Sequence, residues 1–274
     1  MKLAVIGYPI HHSLSPLMHQ VELDALGIQG NYTRIEIHPN DFTEKVTKLL
    51  DSDITGFNVT LPFKEKIIPY LDDVDSSARV IGAVNTVVKE QGKWIGYNTD
   101  GEGYVRGLLH DFSSLELPQS KVLIIGAGGA ARGIIYSLLQ SGVQKNHLDI
   151  MNRSLKNAQK LCEEFSLPTE NSYSLKDQCT LQYDIVIQTS SVGLKKEETP
   201  LRAFRIQQDA IVSDIIYNPS KTAFLKIAEE QGAMIQNGLN MFVFQGALAF
   251  EKWTSHKPNI SRMRDTVLGA LNLD

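Results

Sequence analysis

Residues 121–142, "KVLIIGAGGAARGIIYSLLQSG", restrict the possible folds more than any other stretch of the chain. A β-branched, apolar run stops at Gly126, passes through Ala127, Gly128, Gly129 and Ala130, and enters helical spacing at Ala131. This is the G-x-G-x-x-A form of the dinucleotide-binding turn. Gly126 permits the tight turn, Gly128 lets a pyrophosphate approach the backbone, and the small Ala131 lets helix pack on strand. The unpaired amides and positive dipole end of the following helix favour an anion. A strand before and a helix after set the pattern apart from a bare glycine repeat. The plain alternative is a tight turn without a ligand.

The next strand, "HLDIMNRS", ends on Asn152, Arg153 and Ser154, where a carboxylate would ordinarily hold the ribose 2′-hydroxyl of NAD. An arginine with small polar neighbours instead suits a 2′-phosphate, through charge-assisted hydrogen bonds and without carboxylate repulsion. NADP is therefore the expected cofactor. Lys156 can assist, or can be a solvated lysine in the first helical turn.

The same alternation of strand and helix precedes this segment, in "KLAVIG", "PLMHQVELDALG", "NYTRIEI", "DFTEKVTKLLDS" and "ITGFNVT". It predicts an α/β fold with mostly parallel sheets and helices on their faces. "AVNTVVKEQGKWIGYNTD" departs from it and reads as a hairpin turning at Gln91-Gly92, at an antiparallel edge. The polar stretch 113–120, with Pro118, interrupts the pattern before the glycine turn, and two helical segments close the chain around 241–253 and 260–271. Two domains are expected from 274 residues so arranged.

With 42% apolar and 21% charged residues and a net charge of −4, the chain has no broad electrostatic reason to bind nucleic acid or an anionic membrane. Nothing approaches 18 consecutive apolar residues, and the opening "MKLAVIGYP" is punctuated too early for a signal peptide. A cytoplasmic protein with a small-molecule partner is expected, as a monomer or homodimer. Cys162 and Cys179 form no CxxC pair and read as idle thiols; His11, His12 and His19 lack a completing ligand set, so no metal is expected.

Two further stretches carry chemistry. In "GYPIHHSLSP", Ser13 and Ser15 stand just before a helix with Pro16 at its start, a place for a carboxylate or for ordinary N-capping. In "NVTLPFKEK" an apolar run breaks on Pro62 and delivers Lys64. A lone lysine there reads as solvated.

The ordered series "GYPIHHSLSP", "NVTLPFK", "GAVNT", "NTDGEG", "GAGGAARG", "NRS" and "QGALAFEKW" resembles the shikimate dehydrogenase family over nearly the whole chain. The resemblance implies reversible NADPH-dependent reduction of 3-dehydroshikimate to shikimate, in aromatic amino-acid biosynthesis. It implies a substrate-binding domain over 1–101 completed by helices in 239–274, and a Rossmann-type NADP-binding domain over 102–238. Lys64 and Asp100 would be the catalytic pair. Ser13 and Ser15 would bind the substrate carboxylate, Thr60, Asn85, Asp100 and Gln245 the ring hydroxyls, and Tyr217 would lie near the substrate. Gly126, Ala127, Gly128, Gly129, Ala130, Ala131, Asn152, Arg153 and Ser154 would hold NADP, with Thr189 and Gly238 at the nicotinamide end.

Three positions depart from the family pattern: Gln20 follows His19 in place of asparagine, "TSSVGL" carries an extra residue with Leu194 in place of methionine, and Asn157 stands where an arginine is common. The alternatives left open are an NAD-preferring quinate/shikimate dehydrogenase and a non-catalytic NADP sensor. A sensor has no use for a proton-transfer pair, which speaks for the enzyme.

Overall fold

The computed structural model describes residues 1–176, 180–195, 197–201 and 204–271, so Cys179 lies outside the described residues. The chain divides into two compact units, Met1–Thr99 with Val243–Asp274, and Asp100–Phe242.

The first unit opens with β1 (Lys2–Gly7), α1 (Ser15–Ala25), β2 (Asn31–Glu36), α2 (Phe42–Leu50) and β3 (Gly56–Val59). There follow β4 (Asp73–Val74), α3 (Ser76–Ile81), β5 (Thr86–Glu90) and β6 (Lys93–Tyr97). Its sheet has the order β2-β1-β3-β5-β6-β4. β1 pairs in parallel with β2 and β3, whereas β5 is antiparallel to both β3 and β6. The hairpin forms, with Gln91 and Gly92 both at positive φ in its turn. It does not lie at the edge: the two-residue β4 pairs in parallel outside β6. A strand that short has no readable period, so the sequence could not place it.

Alternation along β1 and β3 sends apolar side chains to both faces. Ala4, Ile6, Phe57 and Val59 meet Phe42, Val46 and Leu49 of α2, whose spacing of three and four forms one helical stripe. Nine residues are too few for an autonomous helix. Burial of those three side chains, each contributing about 1.5–3 kcal/mol, holds it. On the other face, Leu3 and Val5 meet Leu23 of α1 and Ala249, Phe250 and Trp253 of the chain's penultimate helix.

The second unit begins with α4 (Asp100–Asp111), followed by β7 (Val122–Ile125), α5 (Gly129–Gln140), β8 (Leu148–Asn152), α6 (Leu155–Phe165) and β9 (Ser172–Ser174). It continues with the short β10 (Thr180–Leu181), then β11 (Ile185–Gln188), β12 (Arg205–Ile206), β13 (Ile211–Asp214), α7 (Ala223–Glu230) and β14 (Met234–Gln236). The main sheet reads β14-β13-β11-β7-β8-β9 and is parallel throughout. Counted from β7 along these six strands, that is the 3-2-1-4-5-6 order of a doubly wound dinucleotide fold. The central strands β7, β8, β11 and β13 are buried along nearly their whole length, as parallel strands covered on both faces must be.

Two helices end the described chain, α8 (Leu239–Thr254) and α9 (Ile260–Leu271). Within the first unit the Trp253 indole donates to the Val87 carbonyl at 3.0 Å. The fully buried Glu22 of α1 accepts from Asn259 N–H at 2.9 Å and from Arg262 at 3.1 Å, which ties α9 to α1 and satisfies a carboxylate that would otherwise be costly to bury. Among the described residues no helix is long and apolar enough to cross a membrane.

His19 lies in this core. Its ring stacks on Tyr32 at 4.5 Å and meets Trp253 edge-on at 5.3 Å, and neither ring nitrogen has a protein hydrogen-bond partner. Burial pulls its pKa down to about 3. Between pH 6.5 and 3 the unfolded chain therefore binds a proton that the folded chain refuses, and stability is lost as pH falls through that window. His19→Leu should remove this dependence. Urea unfolding at about pH 6.5 and about pH 4.5 should show the variant losing about 2–3 kcal/mol less than the parent across the interval; equal losses would contradict the assignment.

Candidate functional site

In each unit the chemistry-bearing residues gather at the carboxyl ends of parallel strands, where backbone groups run out of sheet partners and loops diverge to opposite faces.

In the first unit these ends belong to β1 and β3. The loop after β1 brings Ser13 and Ser15 together, with Ser13 Oγ 3.2 Å from Ser15 Oγ. Ser15 is the first residue of α1, and the cap position falls to Leu14 without a side-chain bond. Neither serine is the cap residue, and Ser13 Oγ accepts from Ser15 N–H at 3.3 Å, the first amide of the helix. Arg34 of β2 holds this loop by donating from Nε and Nη2 to the Ser13 carbonyl at 2.9 and 2.7 Å.

After β3, Thr60 N–H donates to the Ile6 carbonyl at 2.9 Å, and Phe63 N–H to the Thr60 carbonyl at 3.0 Å. The Phe63 side chain is fully buried and stacks on Phe42 at 4.4 Å, which anchors the turn. The next residue, Lys64, is half-buried, with its carbonyl accepting from Val84 N–H at 2.8 Å. Its backbone is fixed on both sides, unlike that of a lysine in a solvated loop.

Asn85 precedes β5 and is 2% exposed. Its Oδ1 accepts from Thr99 N–H at 2.8 Å and from the Thr86 hydroxyl at 2.9 Å, while Nδ2 donates to Thr99 Oγ1 at 2.9 Å and lies 3.4 Å from Gln245 Oε1. The amide orientation follows: oxygen toward the fixed donors, nitrogen toward Gln245. Behind it, Asn58 Nδ2 donates to the Asn85 carbonyl at 3.0 Å and to Thr86 Oγ1 at 3.1 Å, and Asn58 Oδ1 accepts from the Tyr32 hydroxyl at 2.7 Å. Burial pushes the Tyr32 phenol well up, so it remains a donor. Tyr32, Asn58, Thr86 and Thr99 were not among the residues singled out from sequence. A signal existed for Asn58, a polar residue in the fully buried strand "GFNV".

Gln20, one of the departures, bridges α1 to β2: Oε1 accepts from Tyr32 N–H at 3.2 Å and Nε2 donates to the Gly30 carbonyl at 3.3 Å.

In the second unit the divergence lies between β7 and β11. Gly126 has φ +119°, and a methyl group there would stand 2.4 Å from Thr189 Oγ1. Thr189 closes the fork by donating its hydroxyl to the Ile125 carbonyl at 2.9 Å. Beyond it, α5 starts with no side-chain cap and no acidic residue in its first turn, and side chains built at Gly128 or Gly129 would meet open space. Ala131 is fully buried against the core. The end of β8 presents Asn152, with Nδ2 donating to the Ser154 carbonyl at 3.0 Å, followed by Arg153 and Ser154, both exposed. α6 likewise begins uncapped and without an acidic residue in its first turn, and Arg153 has no ion-pair partner among the described residues. Uncapped amides beside open space, with an unpaired guanidinium nearby, fit a phosphorylated dinucleotide.

The loop "TSSVGL" is organised by Gln188, which accepts from Ser190 N–H at 2.6 Å and donates to the Ser190 and Val192 carbonyls at 3.1 and 3.0 Å; Leu194 is 48% exposed. After β13, Tyr217 stacks on Phe242 at 4.9 Å, and Gly238 N–H donates to the Ile216 carbonyl at 3.0 Å. Asp214, at the end of β13, accepts from Ile216 N–H at 3.0 Å and from the Thr222 hydroxyl at 2.8 Å. Burial pushes its carboxyl up to about 6. Asp100 is buried at the first turn of α4, where the helix dipole favours a carboxylate.

Three family models match the chain: the shikimate dehydrogenase substrate binding domain over residues 5–87, shikimate / quinate 5-dehydrogenase over 109–202, and the shikimate 5'-dehydrogenase C-terminal domain over 238–268. The NADP(+) shikimate dehydrogenase of Bacillus mycoides is 47% identical over 273 residues, and that of Geobacillus kaustophilus is 44% identical over 271, each alignment covering 97% of both chains. The crystal structure of shikimate 5-dehydrogenase from Thermus thermophilus in complex with NADP(H) and shikimate superposes with a TM-score of 0.87 at 33% identity, covering 99% of this chain and all of that one.

The fork at Gly126 generates a stability prediction. Gly126→Ala should lower stability by about 1–3 kcal/mol, from the positive φ and the contact with Thr189, whereas Gly129→Ala, facing open space, should be neutral. Thermal melting of both variants checks it, and equal melting temperatures would refute it.

Proposed function

This chain belongs to the shikimate dehydrogenase family, and from that premise we propose how its own residues carry the family's NADP-dependent reaction. The reaction is the reversible reduction of 3-dehydroshikimate to shikimate in aromatic amino-acid biosynthesis. The unit containing β1–β6, α8 and α9 serves as the substrate-binding domain and the parallel-sheet unit as the NADP-binding domain. Cytoplasmic biosynthesis is its setting, and the open uncapped start of α5 takes the pyrophosphate.

The observation that carries this reading is the polar cluster around Asn85 at the carboxyl end of the first sheet. Its amide cannot turn over without leaving Thr99 N–H and the Thr86 hydroxyl unpaired, so its nitrogen, which donates to Thr99 Oγ1 at 2.9 Å, is held facing Gln245 at this strand end. Such an arrangement recognises a ring hydroxyl. Ser13 and Ser15 supply hydroxyl donors for the substrate carboxylate, and Thr60, Asp100 and Gln245 complete the hydroxyl contacts, with Tyr217 close by.

NADPH, when bound, supplies the hydride to the carbonyl carbon. The charge that develops on the carbonyl oxygen needs a proton and electrostatic stabilisation. Lys64 provides both: its ammonium group donates to the oxygen during reduction and, as the amine, accepts the proton during oxidation. Asp100 orients Lys64 and the substrate. Asn152, Arg153 and Ser154 take the 2′-phosphate, and Thr189 and Gly238 line the nicotinamide end.

The test is absorbance of the reduced nicotinamide with shikimate or quinate, each offered NADP or NAD. Fast turnover is expected with shikimate and NADP; comparable rates with quinate would favour the quinate/shikimate dehydrogenase alternative, and comparable rates with NAD would remove the role given to Arg153. Lys64→Ala should lower kcat by about 10²–10⁴-fold while leaving the Kd for NADP unchanged, measured by fluorescence titration. A loss below about tenfold would take the proton-transfer role from Lys64.

A further inference from the structure

Asp214 is fully buried at the carboxyl end of β13 and forms no ion pair among the described residues. Both its oxygens face one loop. Oδ1 accepts from Ile216 N–H at 3.0 Å, at the loop's start, and Oδ2 accepts from the Thr222 hydroxyl at 2.8 Å, at its end. Residues 215–221 thus leave from one carboxylate and return to it, with Tyr217 between the two anchors. The same Thr222 oxygen accepts from Leu225 N–H at 3.4 Å and caps α7, so the return anchor is itself fastened to a helix.

A second brace comes from the corner before α8. Gly238 N–H donates to the Ile216 carbonyl at 3.0 Å. A methyl group at Gly238 would fall 1.9 Å from the Ile215 carbonyl oxygen, so the two backbones are in direct contact. Asn237 Nδ2 holds the Ser220 carbonyl at 2.8 Å. The Tyr217 ring, 4.9 Å from Phe242 and inclined at 28°, therefore has little freedom as long as the carboxylate keeps both ends of its loop.

A buried carboxylate is an expensive way to close a turn, since a neutral Asn or Ser can make the first of these bonds. The carboxylate gives each anchor its own oxygen, so the two ends of the loop are held from separate points of one rigid group. We propose that Asp214 is a positioning residue for the substrate, acting through Tyr217 by clamping both ends of the loop that carries it. This rests on the reading of Tyr217 as a substrate neighbour.

The experiment is steady-state kinetics on the full chain with shikimate and NADP, for Asp214→Ala, Thr222→Val, Tyr217→Ala and the two double variants with Tyr217→Ala. Asp214→Ala should raise the KM for shikimate about tenfold, with the KM for NADP unchanged and kcat within about threefold. Thr222→Val, which keeps the shape but deletes the donor to Oδ2, should raise it about threefold and carries the test if Asp214→Ala does not fold. In the Tyr217→Ala background either change should alter the KM for shikimate by less than about twofold, because the residue it positions is gone. Asp214 acts elsewhere, and the proposal is overturned, if Tyr217→Ala raises the KM while the other single variants do not, or if their effects persist undiminished in the double variants. An unchanged KM in Tyr217→Ala alone overturns the reading of Tyr217 and the proposal with it.

Discussion

Burying a primary amide is favourable only if its oxygen and both its hydrogens find partners, and the first unit is arranged around one such amide, that of Asn85. The antiparallel register of β3 against β5 sets Asn58 opposite Thr86. That pairing puts a side-chain donor on the Asn85 carbonyl, while the end of β6 delivers Thr99 to Asn85 Oδ1. Shifting β5 by one residue would exchange its faces and leave several buried polar groups unpaired at once. Strand register and the orientation of the Asn85 amide in this unit are thus two expressions of one hydrogen-bond requirement.

The second unit solves a different problem with a different economy of parts. A parallel sheet buried on both faces admits a polar side chain along its strands only with a partner, as Asp149 has in Tyr183 and Ser213 in Gln236, and the candidate chemistry gathers at the strand ends. There, backbone amides, a threonine hydroxyl and one carboxylate do the holding. Gly126 and Thr189 share the fork because only a residue without a side chain lets the two neighbouring strand ends approach so closely. Uncapped helix starts at α5 and α6 leave donors pointing outward, a condition that costs stability in isolation and is relieved by an anion.

Some of this was legible in the sequence and some was not, for physical reasons. The glycine turn was legible because strand, turn and helix are contiguous and each position has its own steric requirement. Lys64 stands out only through the ordered motif series around it, since a lysine after a proline carries no signal of its own. The network through Tyr32, Asn58, Thr86 and Thr99 was not: its members are joined by register across the sheet rather than by spacing along the chain. Asp214 was missed for a similar reason. Its second partner, Thr222, stands eight residues away beyond a loop whose path no local pattern specifies. The hairpin was readable from its turn residues, whereas its place inside the sheet depended on β4, which is too short to announce itself.

The first unit is assembled from both ends of the chain: Trp253 bonds to Val87, and Arg262 reaches Glu22. During synthesis, residues 1–99 emerge first yet lack α8, which covers one face of their sheet, and α9, which packs on α1, until the whole of 100–242 has been made. Over that interval Leu3, Val5 and Leu23 have no helix from the carboxyl end to pack against. At a ribosomal pace of about 5–20 residues per second, the wait lasts roughly seven to thirty seconds, and the second unit, continuous in sequence, is complete when it ends. The nascent amino-terminal sheet is therefore the part of this protein most dependent on chaperone shelter, and a ribosome stalled between residues 99 and 243 would leave it permanently uncovered.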